Sequence, residues 1–447
     1  MTTTPELFLS PGSQSFQRCA SCGATLPELD GSPACPTCGG LLEIVHAAPS
    51  DAAGRALDAA SLRASFAQHC CARPSGSASG VWRFESLVMP GAGSSIVSHP
   101  EGNTPLLTRA AIDRFAGLDG LRIKHEGHNP TGSFKDRGMT VGVTQAVRIG
   151  ASAVACASTG NTSAALASYA AQAGIPGLVF VPAGKIAMGK LAQTLGYGAR
   201  TLMVRGDFDD CLRLVQDAAR ELGIYLLNSI NPWRVEGQKT IVLEMLQQLD
   251  WQAPDFIVLP AGNLGNTAAF GKALREASAL GLIDRMPRLV SVQAAGAAPF
   301  ARAFPENFAT RYSVQADTIA TAIRIGDPAS WDRAVRAIRE TNGIVLSCTD
   351  DEIIAAKVAI DGAGVGCEPA SAASVAGLRR LVQDGVITSA HRVVAVLTGH
   401  ILKDPGILVD LHQGEKFAGA NKPIEIDADV RAVERVLAAD ARRGVAT

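Results

Sequence analysis

Aromatic residues are scarce, at 5% of 447 positions, and neither sign of charge dominates, with 41 Lys and Arg against 42 Asp and Glu. That balance gives no electrostatic basis for nucleic acid or an anionic membrane as partner. No apolar run approaches the ~20 residues that a membrane-spanning helix needs. Residues 1–11 lack the basic region followed by an apolar stretch that marks a secretory signal, so the expected location is the cytoplasm. Six of the ten cysteines are scattered (Cys70, Cys71, Cys156, Cys211, Cys348, Cys367), as in a reduced protein. Ala and Gly are plentiful, which suits α/β packing, where small residues let helices lie close on a sheet. The length allows two or more domains around a large core.

The other four cysteines form two pairs, Cys19-x-x-Cys22-Gly23 and Cys35-Pro36-Thr37-Cys38-Gly39, separated by twelve residues. Two such pairs match the knuckles of a zinc ribbon, each supplying two thiolates to a tetrahedral site. Two disulfides or a redox dithiol are the alternatives. A reduced compartment disfavours the first, and a redox site needs only one pair. Four thiolates leave no open coordination position, so the metal would be structural. No Lys and Arg cluster marks this segment as a nucleic-acid binder.

The organisation expected from pattern is a cysteine module over 1–45, a helical linker and anchor over 46–100, a core over 101–405 and a tail over 406–447. Helical periodicity covers 51–71, and residues 75–80 are a small-residue linker. Strands are predicted at 153–157, 177–182, 200–205 and 224–228, with helices starting near Asn161, Gly189 and Asp209. A second set follows at 255–260, 289–293, 343–347 and 392–397. Such alternation predicts parallel sheets with helices on both faces. The first set, about 150–235, reads as a smaller α/β domain inserted into the second. The tail carries an amphipathic pattern over 427–442, with Val430, Val433, Val436 and Leu437 on one side, suited to covering the core or joining subunits.

Ligands in such folds lie at the carboxyl ends of strands, and four of these ends are rich in polar groups. Ala157-Ser158-Thr159-Gly160-Asn161-Thr162-Ser163 opens a helix, where hydroxyls and amides can meet an anion. Pro260-Ala261-Gly262-Asn263-Leu264-Gly265-Asn266 follows a strand, and its glycines permit a tight loop with amides turned toward a phosphate. It is neither a Walker loop nor a dinucleotide fingerprint. Leu397-Thr398-Gly399-His400 puts a hydroxyl where a heterocyclic nitrogen can face it. Asn228-Ser229-Ile230-Asn231-Pro232-Trp233-Arg234 combines an amide, a hydroxyl and a guanidinium, which suits a phosphate monoester. Lys190 can add charge from another strand end. Each alone is as often a cap, a satisfied core threonine or surface charge.

Together they converge on His125-Glu126-Gly127-His128-Asn129-Pro130-Thr131-Gly132-Ser133-Phe134-Lys135-Asp136. Residues 129–132 predict a turn, and Ser133 is a candidate N-cap for the helix after it. Lys135 would occupy the first helical turn, where the helix dipole disfavours a cation. Partial desolvation there favours the neutral amine that imine chemistry requires. A lysine of this kind, a glycine-rich phosphate loop and a second phosphate-binding set fit pyridoxal phosphate with a substrate carrying its own phosphate.

From about Gly80 to Asp404 the chain resembles the threonine synthase family, fold-type-II pyridoxal-phosphate enzymes with a tryptophan-synthase-β-like fold. The carrying stretches are Glu101-Gly102-Asn103-Thr104-Pro105-Leu106, residues 129–136, 158–162, 228–234 and 262–266, Cys367-Glu368-Pro369-Ala370-Ser371, and 397–404. The resemblance implies two parallel-sheet α/β domains behind a zinc-ribbon-like segment. It implies that Lys135 holds the cofactor as an internal aldimine and then acts as general acid and base. Gly262, Asn263, Leu264, Gly265 and Asn266 would hold the cofactor phosphate, Asn161 its phenolic oxygen and Thr398 its pyridine nitrogen. Ser158, Thr162, Lys190, Asn228, Ser229 and Arg234 match positions that bind substrate phosphate. Cys19, Cys22, Cys35 and Cys38 would hold zinc.

The implied reaction converts O-phospho-L-homoserine and water to L-threonine and phosphate, the last step of threonine biosynthesis. The rival readings are a cysteate synthase using O-phosphoserine and sulfite, a threonine dehydratase, and a non-catalytic metal-dependent binding protein. The arrangement of Asn228 to Arg234 leans away from the cysteate synthase, a dehydratase acting on an unphosphorylated substrate would not need Arg234 and Lys190 as phosphate partners, and Lys135 argues against the inactive scaffold. A homodimer is the expected assembly.

Overall fold

The computed structural model describes residues 14–51, 53–70, 78–184, 188–414 and 420–443. Residues 75–77 of the predicted linker at 75–80 therefore lie outside the described residues. The chain divides into two units, residues up to Asp404 and residues from Pro405 onward.

The first unit opens with β1 (Ser15–Cys19), β2 (Thr25–Pro27) and β3 (Leu42–His46), an antiparallel sheet in the order β2-β1-β3. Helices α1 (Ala59–Cys70) and α2 (Glu85–Val88) lead to β4 (Leu106–Leu107), α3 (Ala110–Ala116), β5 (Arg122–His125) and α4 (Lys135–Arg148). Next come β6 (Ala153–Ala157), α5 (Asn161–Ala173), β7 (Gly177–Pro182), α6 (Met188–Gly196), β8 (Arg200–Val204), α7 (Phe208–Leu222) and β9 (Ile224–Leu226). Their four strands make one parallel sheet in the order β8-β7-β6-β9.

The chain continues through α8 (Pro232–Gln248), β10 (Phe256–Pro260), α9 (Gly265–Ala279), β11 (Arg288–Ala294), α10 (Pro299–Ala303), α11 (Trp331–Glu340), β12 (Ile344–Cys348), α12 (Asp350–Gly362), α13 (Pro369–Gln383) and β13 (Val393–Leu397). These strands join β5 and β4 in a second sheet, ordered β12-β11-β10-β13-β5-β4. All its pairs are parallel except β4 with β5. A strand lying between two helix layers needs no polar face, and β6, β10 and β13 are buried along their whole length.

One buried ion network fixes α4 in this frame. The Arg137 guanidinium meets Glu126 at 2.6 Å and Glu244 at 2.9 Å, and Glu244 also pairs with Lys124 at 2.5 Å and Arg83 at 3.0 Å. Desolvation offsets most of the attraction in such a network, so its main effect is on register: removing one member would strand a buried charge.

The second unit carries α14 (Pro405–Gln413) and α15 (Val430–Arg443). Val430, Val433 and Leu437 of α15 remain exposed. Among the described residues no helix is long and apolar enough to cross a membrane.

Candidate active site

Lys135 is the first residue of α4, as its position after a turn and before a helical pattern predicts. The cap differs from expectation. Phe134 holds the N-cap position, and Ser133 instead forms a bridge with Gly399, its hydroxyl accepting from the Lys135 amide at 3.4 Å. Two further bonds stitch this turn to the end of β13: Phe134 N donates to Thr398 O at 3.0 Å, and His400 N to Gly132 O at 2.8 Å. With the Ser133 backbone paired to Gly399, the N-cap position falls one residue on, at Phe134. That pairing also brings Lys135 and Thr398, far apart in sequence, to one place.

At that strand end, the Ser371 hydroxyl accepts from the amides of Thr398 and Gly399, both at 2.9 Å, and lies 3.0 Å from Thr398 Oγ1. With both lone pairs of Ser371 engaged, its proton goes to Thr398, which leaves the Thr398 proton free to donate outward.

Glu368 is a residue that sequence reasoning left out of the site. It is the N-cap of α13 and is 4% exposed. Asn161, at the start of α5, donates to its carboxylate at 3.0 Å. A Cβ on Gly399 would lie 2.5 Å from the same carboxylate. Burial raises the Glu368 carboxyl above its usual range, against the Asn161 bond and the charges of Lys403 and Lys135. Burial and then the Arg234 charge lower the Lys135 amine to about 7, against the pull of Glu368. Its place directly before a helix-opening Pro369 was the one local signal, and that alone marks only a cap.

The two phosphate loops meet. Asn263 donates to the Ser229 hydroxyl at 2.5 Å and accepts from Ala329 N at 2.6 Å. The left-handed residue of its loop is Leu264, at φ 61°, not a glycine. Gly262 serves close approach instead, since a Cβ there would lie 2.8 Å from Ile323 Cα. Gly265 begins α9, and Asn266 is buried with its Oδ1 unpartnered.

In the other loop, Asn228 Oδ1 accepts from Ala157 N at 2.9 Å, so only its amide nitrogen is available to a ligand. Arg234 is 1% exposed and donates from Nη1 to Leu227 O at 3.0 Å, while its Nε and Nη2 have no partner. Burial lowers the guanidinium to about 10. Ser158 and Thr162 are half-buried at the start of α5. Lys190 lies in α6, and its side chain is outside the described residues.

The four paired cysteines also converge. Their sulfurs lie within 4.8 Å of one another, with Cys19 to Cys38 at 3.5 Å and Cys22 to Cys35 at 3.7 Å. A tetrahedral zinc with Zn–S of about 2.3 Å places sulfurs about 3.8 Å apart. Gly23 and Gly39 close the two knuckles at φ 76° and 72°. The amides of Ser21 and Cys22 point to Cys19 Sγ at 3.4 and 3.5 Å. The cluster is compatible with zinc.

Residues 97–399 match the family model described as "Pyridoxal-phosphate dependent enzyme". The threonine synthase of Methanosarcina acetivorans is 44% identical over 94% of this chain and 98% of its own length. That of Methanocaldococcus jannaschii is 42% identical over 94% and 99%. Among solved structures, the Escherichia coli threonine synthase superposes with a TM-score of 0.66 at 18% identity, over 95% of this chain and all of that one. Maize serine racemase gives 0.60 at 22%, over 74% and 95%.

Proposed function

The chain belongs to the pyridoxal-phosphate-dependent enzymes and, within them, to the threonine synthases, and from that premise we propose how its own residues convert O-phospho-L-homoserine and water to L-threonine and phosphate. The observation that carries the assignment is the pairing of Lys135, a desolvated amine, with Arg234, a buried guanidinium that has two unpartnered nitrogens, at one site. Imine chemistry needs the first and a substrate phosphate needs the second.

The residues present fit the cofactor. Asn266 keeps a buried, unpartnered amide oxygen and Arg234 two unpartnered nitrogens, so hydrogen-bonding capacity that the protein does not use is left at the site. Lys135 would hold the cofactor covalently, the amides of 262–266 its phosphate, Asn161 its phenolic oxygen and the free Thr398 proton its ring nitrogen. When bound, the cofactor supplies an electron sink that acidifies the substrate's Cα–H. A neutral hydroxyl at the ring nitrogen makes that sink weaker than a carboxylate would.

The chain's own groups do the rest. With an amine near 7, Lys135 is substantially neutral at physiological pH and can take the α-proton, then move a β-proton. Arg234, Asn228, Ser229, Ser158, Thr162 and Lys190 hold the substrate phosphate, which leaves from Cγ. A proton delivered to Cγ makes the methyl group, water then adds its hydroxyl at Cβ and gives up its proton, and a proton returned to Cα by Lys135 completes threonine.

Cys19, Cys22, Cys35 and Cys38 would hold one structural zinc, and metal analysis should return one zinc per chain, lost on thiol modification. We assign the chain to the cytoplasm, where thiols stay reduced. A homodimer is the assembly we assign, to be checked by sedimentation equilibrium.

The deciding experiment measures phosphate and threonine released from O-phospho-L-homoserine by the cofactor-loaded protein. Equal amounts are expected. No release with the near-visible cofactor absorbance intact would reject the substrate, and O-phosphoserine with sulfite would be tried next.

A further inference from the structure

The antiparallel sheet of β1, β2 and β3 is absent from the reaction above, yet it is built into the flank of the site. His46, the last residue of β3, is buried with Nε2 2.9 Å from Glu236 of α8 and Nδ1 2.8 Å from Ser15 Oγ. Glu236 follows Arg234 by two residues. It also receives Lys239 at 2.5 Å and Lys272 of α9 at 2.5 Å, and both lysines reach Glu276 of α9, at 2.7 and 3.0 Å. Burial lowers His46 below its ordinary range despite Glu236, so the ring is neutral. A neutral ring with its proton on Nε2 donates to Glu236 and accepts from Ser15.

The same strand holds α11. Leu42 O accepts from Arg333 at 2.8 Å, and Glu43 pairs with Arg336. The N-cap of α11, Ser330, donates its amide to Asn263 O in the cofactor-phosphate loop at 3.3 Å. On its other side, α8 touches α4 through glycine. A Cβ on Gly237 would lie 1.8 Å from Arg137 O, and one on Gly138 would lie 3.0 Å from Arg234 O. The first two turns of α8 are therefore clamped between the helix that starts at Lys135 and the four-cysteine sheet.

We propose that His46 is a positioning residue for the substrate phosphate: backed by the four-cysteine sheet, it holds Glu236 and so sets the first turn of α8, with Arg234, against α4. The proposal rests on the reading of Arg234 as a phosphate ligand. It makes the sheet part of the active-site scaffold, not a module for an outside partner.

The test uses the cofactor-loaded full chain as wild type, His46→Ala, His46→Gln, Ser15→Ala and Arg234→Ala. Steady-state kinetics with O-phospho-L-homoserine is paired with calorimetric binding of inorganic phosphate. His46→Ala should raise both KM and the phosphate dissociation constant ~10-fold, the worth of one charge-assisted bond, with a smaller change in kcat and in cofactor affinity. His46→Gln, whose amide both donates and accepts, should recover most of the loss. Should His46→Ala not fold, Ser15→Ala must give the same pattern at reduced size. Unchanged phosphate binding in the His46 variants would overturn the proposal while leaving the reaction assignment standing. A rise in KM with parallel falls in kcat, cofactor affinity and melting temperature that Gln does not rescue would overturn it too, as general loosening. If Arg234→Ala binds phosphate as well as wild type does, the reading of Arg234 falls and the proposal falls with it.

Discussion

The two phosphate loops sit side by side and offer opposite chemistry. In residues 262–266 the side chains are largely spent: Asn263 is bonded to Ser229 and Ala329, Leu264 is held left-handed, and Gly262 abuts Ile323. What remains is backbone N–H at the start of α9 and the Asn266 amide, with no cation in the loop. In residues 228–234 the offer is charge, in a guanidinium with two unpartnered nitrogens. Dipoles suit a group that stays, because they need no counter-ion when it is in place. A buried, half-satisfied cation suits a group that comes and goes, because the missing partner is the ligand itself. On the reading proposed above, the physical contrast is between a resident cofactor and a passing substrate.

The largest effect should come from Lys135→Ala, which removes the group both loops serve. Turnover should fall by at least ~10³-fold, and the near-visible absorbance should vanish from the spectrum. A variant that still turns over would remove Lys135 from the centre of the site. Arg234→Ala should separate the loops, with KM for O-phospho-L-homoserine rising about 10- to 150-fold and the cofactor dissociation constant moving far less. Equal losses would merge the two loops into one site. Gly262→Ala should give the reverse pattern. Its methyl meets the backbone of Ile323, an overpacking worth ~1–3 kcal/mol, and cofactor titration should weaken while KM of the loaded fraction holds. The smallest effect is in pH. Cofactor uptake by the cofactor-free protein needs neutral Lys135, so its rate should climb with pH through a midpoint of about 7. Arg234→Ala removes a cation and should move that midpoint up. Glu368→Gln removes an anion and should move it down. Stopped-flow absorbance against pH reads both shifts.

Much of this was legible in the sequence because it is local. Strand ends carry short polar runs, Lys135 follows a turn and precedes a helical pattern, and the cysteine pairs have knuckle spacing. What escaped was decided by distant partners. Ser133 is not the N-cap of α4, its backbone being paired with Gly399. Leu264, not glycine, takes the left-handed position because the loop is packed on both sides. Glu368 looks like an ordinary residue before a proline until Asn161, Lys135 and Gly399 surround it. The network of Arg83, Lys124, Glu126, Arg137 and Glu244 joins segments up to 161 positions apart, and no periodicity announces it. The turn over 101–106 does lead into a strand as read, but β4 is two residues long, too short for any alternation to show its antiparallel pairing.

The glycine crossing of α4 and α8 has one more consequence. Backbone touches backbone at Gly138 and Gly237, so the two helices have no side-chain cushion along which to slide. The amine at the head of one and the guanidinium at the head of the other therefore ride on a single stiff caliper. A substrate must span its jaws, with the α-carbon at one and the phosphate at the other. On the reading of Arg234 as a phosphate ligand, chain length is the quantity this pair of helices would measure, and O-phosphoserine, one carbon shorter, should be a poorer substrate than O-phospho-L-homoserine.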